Sequence, residues 1–442
     1  MLKQLCLFVL GVSCLLAVAA DQSYAIPAFA RKYTTSCQTC HNGFPKLNGF
    51  GEAFRRNGYQ FPGGTDAEYI KQDPVSLGAE GNKKAFPDAI WPGTLPASSP
   101  ISIFLNGEMD WNKGTDSTPS QVSFGNLGSS IEAVAAGTLG EDLTFWGQLG
   151  LGSDGTLELN RIFLTFSNLI GSDMNFNAKI GVFEPGVFSF STHRAWMEGY
   201  WITTRNLDDD EEADPANGMG WTLEETQKGI EVNGVMQRFG YNVGIVEGFG
   251  LTHPQKDYYG HITYKFDGMP LDGVVEGGPV INNPQPYMDN SLTLGAFLYH
   301  GTATLGSSSG FQDNRFTMGG GDVNAYYDRF NLFGGVGIRH DESPFLGDPL
   351  NQSANTKVWF GELDFVAYPW LLPGIRIESW NSERIDGGTG LTGSFTDQQI
   401  VPGVVALVRA NVKMTLRTMF TKPEGADKFD FDQVMMLMAI GI

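Results

Sequence analysis

Cysteine is nearly absent from this chain: four in 442 residues, at Cys6, Cys14, Cys37 and Cys40. So few exclude a disulfide-stapled scaffold. With a single close pair and only six histidines, a four-ligand structural zinc site has no second half. Positive charge is also thin, 29 Lys and Arg against 49 Asp and Glu, and the formal charge is −20. That balance excludes nucleic acid as a partner, because the phosphate backbone would repel the chain. It favours attraction of cations. After the N-terminus no run of 18 apolar residues occurs, so no internal transmembrane helix is expected. What is abundant is glycine (57 residues) and aromatic side chains (12%). A large chain of that kind, without spanning helices, has the composition of an outer-membrane β-barrel.

Residues 1–25 read as a secretory signal peptide: Lys3 at the positive end, Leu5 to Ala20 as a short apolar core, and a small-residue cut after Ala25. Cys6 and Cys14 leave with it, so no pair remains for a structural disulfide. The pair that stays lies in Cys37-Gln38-Thr39-Cys40-His41, the attachment signature of a c-type haem. Two thiols at this spacing can each take one haem vinyl as a thioether, and the following histidine then sits beneath the iron as proximal ligand. A dithiol redox motif would need a βαβ setting that is absent.

Around this motif, Pro45 to Gly58 predicts a helix with Leu47, Phe50 and Phe54 on one face. A segment of roughly 35 residues cannot build a core alone, so the cofactor is expected to serve as the core. Arg31, Lys32, Arg55 and Arg56 are candidate partners for the haem propionates, or a solvated basic face. Prolines and small residues make 76–99 a linker.

From residue 100 the apolar period becomes two. Ile101, Ile103 and Leu105 alternate with Ser102, Phe104 and Asn106; Val412, Met414 and Leu416 alternate with Lys413, Thr415 and Arg417. Charge on every second position predicts one face in lipid and one towards a wet lumen. Trp111, Tyr368 and Trp370 read as interfacial anchors. Sixteen strand starts are expected, near 100, 122, 141, 155, 173, 228, 240, 257, 291, 313, 330, 355, 372, 398, 413 and 430. Parity then puts both barrel ends on the periplasmic side and makes 185–227 a long external loop. Gly150 to Gly155 matches G-x-G-x-x-G, but lies between alternating strands and predicts a hairpin turn.

The long loop carries Asp208, Asp209, Asp210, Glu211 and Glu212, a candidate Fe(II)-collecting site, with a solvated acidic loop as the plainer reading. The sixth ligand of the haem iron is open, since residues 42–108 hold neither His nor Met. Candidates are His193 and Met197 on the loop, if it folds inward, and His261, whose parity faces the lumen. Met109 and His300 share the outward parity. A lysine-ligated or open site is the alternative.

Ala25-Ile26-Pro27-Ala28-Phe29-Ala30-Arg31, the C-x-x-C-H run, and then Leu47, Gly51, Phe54 and Arg55 resemble the fused outer-membrane monohaem c-type cytochrome–porin family of extracellular Fe(II) oxidation. The resemblance implies a haem domain (26–75) plugging a barrel of about sixteen strands (100–442). It implies one covalent haem c on Cys37 and Cys40 with His41 on the iron. It also implies oxidation of external Fe(II), with electrons passed to periplasmic c-type cytochromes. Where members of that family read Arg-Gln-Thr-Gly, this chain reads Arg31-Lys32-Tyr33-Thr34. Two other readings stay open: another electron donor or acceptor, and a solute porin with a haem sensor domain.

Overall fold

The computed structural model describes most of residues 27–441. Outside the description lie 1–26, most of 71–98, 192–193, 205–222, 249–254, 278–284, 345–351 and shorter loop segments. The expected signal peptide, most of the expected linker, His193 and the acidic run Asp208, Asp209, Asp210, Glu211, Glu212 therefore fall outside it.

The alternating segments form sixteen antiparallel strands closed into a barrel. They are β1 (Ile101–Asn112), β2 (Gln121–Ser123 continuing as Ser130–Thr138, both paired to β1), β3 (Leu143–Leu151), β4 (Leu157–Phe166) and β5 (Asn177–Phe183). Next come β6 (Gln227–Met236), β7 (Phe239–Val246), β8 (Asp257–Asp267), β9 (Ser291–Ser307), β10 (Gly310–Tyr327) and β11 (Phe330–Asp341). The last are β12 (Ala354–Phe365), β13 (Leu371–Asp386), β14 (Gly390–Arg409), β15 (Val412–Lys422) and β16 (Asp430–Gly441). β16 pairs with β1, from Gln433–Asn112 to Gly441–Phe104, and leaves no free edge.

The strands follow the two-residue period except where the register shifts, as on β4, whose outward set changes from Leu157 and Leu159 to Ile162 and Leu164. On β12 the inward Val358, Phe360, Glu362 and Asp364 are buried, while the outward Trp359 and Leu363 are exposed. The outer wall is an apolar band, including Ile103, Ile162, Leu294, Leu298, Ile338 and Ile377. Aromatic rings edge it at both ends: Tyr368 stacked on Trp370 and Phe330 against Phe365 at one end, Trp111 against Phe431 at the other. This is the surface of a barrel set in lipid.

The two ends differ. One has two-residue turns, with Gln237 and Asp328 at φ of 55° and 50°, the left-handed geometry tight hairpins need. The other carries the 184–226 connection. Both β1 and β16 have their outer termini at the short-turn end.

Part of the lumen is occupied by the chain itself. Segment 184–204 folds inward, and Phe188, Tyr200 and Ile202 pack against Tyr299, Phe333 and Trp380 of the wall in one buried cluster. The charged inner faces are consumed in pairs: Tyr200 donates to Glu362 (2.7 Å), the Trp201 amide to Glu378 (2.6 Å), and Arg376 pairs with Glu378 (2.6 Å). Buried charges are tolerated only when paired like this.

The short-turn end holds three helices, α1 (Pro27–Tyr33), α2 (Gly49–Arg56) and α3 (Asp66–Tyr69). They meet the ends of strands. The Ala28 amide donates to Ser102 (3.2 Å), Thr144 to the Gly58 carbonyl (2.8 Å) and Tyr326 to the Leu47 carbonyl (3.3 Å). α2 starts four residues later than the sequence predicts. Asn48 caps it by accepting from the Gly51 amide (2.9 Å), and Pro45–Leu47 is used instead to bridge back to His41. The domain also has an aromatic core of its own, Tyr33, Phe50, Phe54 and Phe61.

Candidate functional site: a cavity built on the Cys-x-x-Cys-His turn

Cys37–Thr39 winds into one 3₁₀ turn, closed by the Cys40 and His41 amides, which both donate to the Cys37 carbonyl (3.1 and 2.9 Å). Asn48 lashes the turn to α2: its side-chain amide donates to the Gln38 and Thr39 carbonyls (3.0 and 3.1 Å). Gly51 lets the helix approach closely, since a β-carbon there would strike the Cys40 carbonyl.

Cys37, Cys40 and His41 all line one cavity of about 740 Å³ between the helices and the barrel wall. His41 Nδ1 lies 3.0 Å from the Pro45 carbonyl oxygen. A carbonyl only accepts, so Nδ1 carries the proton and Nε2 keeps its lone pair, as metal-ligating histidines are arranged. Burial pushes the His41 pKa down to about 4, against the backbone hydrogen bonds to Pro45 and Lys46, so the ring is neutral near pH 7. Burial, with Cys37 beside it, pushes the Cys40 thiol up to about 12. No disulfide joins the pair. Two thiols and a neutral imidazole on one largely apolar cavity are a donor set that fits a covalently held porphyrin.

The barrel supplies the opposite walls: Phe104 of β1, Val134 of β2, Trp146 of β3, Arg161 of β4 and Lys413 of β15. Along β1 the lining runs from Ser102 to Glu108, roughly 20 Å of strand. From Glu108 to the far end of β1 at Asn112 is roughly 13 Å more. Tyr59 stacks against Trp146 with ring centroids 5.2 Å apart, so domain and wall share an aromatic contact. Two further cavities at the domain, loop and wall junction hold about 10 and 20 Å³, a water apiece at most.

Of the described distal-ligand candidates, neither Met197 nor His261 lines the cavity, whereas Lys413 does. Met197 is buried, but its sulfur packs towards Gly403 and its methyl towards Gly374 in the wall. His261 does face the lumen, where its Nε2 sits 3.1 Å from Asp322, away from the cavity lining. His300 is on the outer face, as its parity predicts, beside Thr317. Of the proposed propionate partners only Arg55 lines the cavity, paired with Glu52 at 2.9 Å. Arg31 donates to the Ser99 and Ile101 carbonyls, Lys32 pairs with Asp66, and Arg56 lies against β7 at Gly240. Local spacing could not tell which basic side chains turn towards the motif, because that depends on how the domain docks. Among the described residues no group of three or more His, Cys, Asp or Glu could hold a metal ion.

Sequence reading missed Trp146, Arg161, Arg194 and Lys413, all on the cavity. Parity marks Lys413 as an inward residue; Arg161 shares the outward parity of Leu157 and Leu159 and faces in because the register shifts between Leu159 and Arg161, and nothing local marks Arg194, which arrives on the infolded loop.

The cavity's loop wall also touches the motif. Trp196 donates to the Gly43 carbonyl (3.0 Å), and Lys46 pairs with Asp364 of β12 under the Trp196 ring.

No family model matches this chain, and no curated protein matches it. Solved structures do. The outer membrane channel DcaP of Acinetobacter baumannii aligns at 11% identity over 77% of this chain and 96% of its own, with a TM-score of 0.50. Salmonella typhi OmpF, in complex with daunomycin, aligns at 11% identity over 77% and 97%, also at 0.50. In-vitro folded OmpT of Vibrio cholerae, in its trimer form, aligns at 8% over 78% and 99%, at 0.50. At such identities the likeness is one of fold, a porin-like barrel.

Proposed function

We propose that this chain is a one-haem electron conduit of the bacterial outer membrane, taking electrons from Fe(II) outside and delivering them to a periplasmic c-type cytochrome. One observation carries the reading: both thiols and the imidazole of the C-x-x-C-H run line a large cavity held within a closed, apolar-faced barrel. Haem c, when bound, supplies a reversible one-electron Fe(III)/Fe(II) couple. The chain's own residues supply attachment, orientation and exclusion of water. Cys37 and Cys40 offer the thioether sulfurs, the Pro45 carbonyl fixes the His41 tautomer, and Tyr33, Phe54 and Phe61 wall off solvent.

The same geometry supports a position for the haem. A hydrocarbon layer of roughly 25–30 Å separates a periplasmic haem from an external donor. A cavity that climbs about two thirds of β1 shortens that gap, and the short-turn end, periplasmic by parity, faces the soluble partner. Insoluble Fe(III) then forms outside the cell.

Against the solute-porin reading stands the buried cluster around Tyr200 and Phe333, which occupies part of the bore beside the cavity. The test is direct: excess Fe(II) is expected to reduce the purified, oxidised holoprotein, and His41→Ala to abolish the reduction. A protein that dithionite reduces but Fe(II) leaves oxidised at its working pH would sink the iron assignment. Its midpoint potential then separates inward from outward electron flow.

A further inference from the structure

Asp110 is a carboxylate without a partner. It lies on the inner face of β1, 7% exposed, in register with Ser123 of β2 and Met435 of β16. Its Oδ1 is buried and accepts no hydrogen bond, and no ion pair among the described residues includes it. Arg417, next in the same row on β15, turns Nε and Nη2 to the Met435 sulfur (3.0 and 2.7 Å). Other buried carboxylates of the inner wall are matched: Glu231 with Lys179 (2.6 Å), Glu378 with Arg376 (2.6 Å), Asp341 with Arg339 (2.7 Å). A carboxylate withdrawn from water is costly unless a cation or a proton answers it. Asp110 therefore marks a place for a charge that its neighbours in the chain do not supply. The neighbours also indicate which charge. The next inner-face row towards the far end of β1 is Gln433, Asn112 and Gln121, and Ser123 stands opposite Asp110. Carboxylate, amide and hydroxyl oxygens are what a hard divalent cation takes, with water filling the remaining positions. On the other side the next inner-face residue is Glu108, the last of β1 to line the cavity. Asp110 thus stands roughly 7 Å beyond the cavity and roughly 7 Å short of the strand's far end.

We infer that Asp110 anchors a weak site for a hydrated divalent cation, where external Fe(II) halts before its electron passes to the haem. The identity of the cation rests on the conduit reading above; the site itself does not. One electron leaves Fe(II), which becomes Fe(III), and the ferric haem that takes it becomes ferrous; no bond in the chain is made or broken. A single carboxylate among neutral oxygens holds a divalent ion loosely. That agrees with the lack of any metal group of three or more His, Cys, Asp or Glu among the described residues, and a spent donor has to be released after each transfer.

The test uses full-length protein in detergent, with folding checked by heat-modifiable gel mobility. Mn(II), a probe that does not reduce the haem, is titrated by EPR into the parent, D110N and D110E, with D142N as a control at an exposed carboxylate of the short-turn end. One equivalent of bound Mn(II) is expected to be lost in D110N and kept in D110E and D142N. The haem-free C37A/C40A chain should bind it as the parent does. In stopped flow, the Fe(II) concentration giving half the maximal rate of haem reduction should rise roughly tenfold in D110N. Dithionite should reduce parent and variant alike, and added Mn(II) should slow reduction by Fe(II) in the parent but not in D110N. Equal Mn(II) binding by parent and D110N overturns the site and leaves the conduit reading standing. Lost Mn(II) binding with an unchanged Fe(II) dependence, or with dithionite reduction slowed as well, overturns the donor role. A parent haem that dithionite reduces and Fe(II) does not overturns the iron assignment instead, and the Mn(II) titration of C37A/C40A still decides the site.

Discussion

At the scale of single residues, His41 and Gly51 carry the most consequence. The Pro45 carbonyl decides which nitrogen of His41 is protonated, and burial keeps the ring neutral. In the haem-free C37A/C40A chain this has a pH signature. The folded pKa of about 4 lies below the ordinary value of about 6.5, so the unfolded chain binds more protons between them. The stability contributed by neutral His41 is complete above about pH 6.5 and lost as pH falls towards 4. Urea midpoints across that window should fall more steeply for C37A/C40A than for the same chain with His41→Gln; parallel slopes contradict this. Gly51 is a packing constraint rather than a turn. Gly51→Ala drives a methyl into the Cys40 carbonyl, and overpacking of this kind costs on the order of 1–3 kcal/mol. The expected outcome is a smaller fraction of chains with covalent haem, read from absorbance per polypeptide.

At the scale of elements, the motif turn, the infolded loop and β12 hold one another. Lys46 enters the bore to pair with Asp364, itself almost fully buried. Removing one partner of a buried pair costs roughly 3–5 kcal/mol, because the other charge is stranded. Lys46→Met should therefore lower the unfolding midpoint strongly, and adding Asp364→Leu should restore most of it. If the double variant is as weak as the single, the pair matters through packing and not charge. Trp196→Phe removes the donor to Gly43 and shrinks the buried ring over Lys46, and a loss of at least about 1 kcal/mol is expected. Its clearest sign would be faster proteolysis of the loop.

At the scale of the whole molecule, the barrel is closed around its circumference by β16 on β1, and the helices and the buried cluster around Tyr200 occupy part of its bore. How much of the bore stays open would distinguish the proposed conduit from a channel. Reconstituted in planar bilayers, the holoprotein is expected to conduct far less than an open sixteen-stranded porin. Truncating the loop's own rings, with Phe190→Ala and Tyr200→Ala together, should raise conductance without loss of the barrel. A parent protein that passes small sugars in liposome swelling would return the solute-porin reading to first place.

Much of this was written locally. The two-residue period of segments such as 412–417 set which side chains face lipid, and it located fifteen of the sixteen strand starts within four residues of those observed, because a pleat alternates whatever its neighbours are; β14 begins at Gly390 and not near 398. Cys37, Cys40 and His41 were legible for a similar reason: their relation is confined to one turn. The position of α2 was only partly legible, since Asn48 and Pro45 serve the histidine as well as the helix. Period two says that a side chain points inward but not what it meets there. Only the closed barrel with its domain and loop in place decided that His261 meets Asp322 and Met197 the wall, and that Arg161 and Arg194 line the same cavity as Arg55. Those contacts join residues far apart in the chain, and geometry alone brings them together.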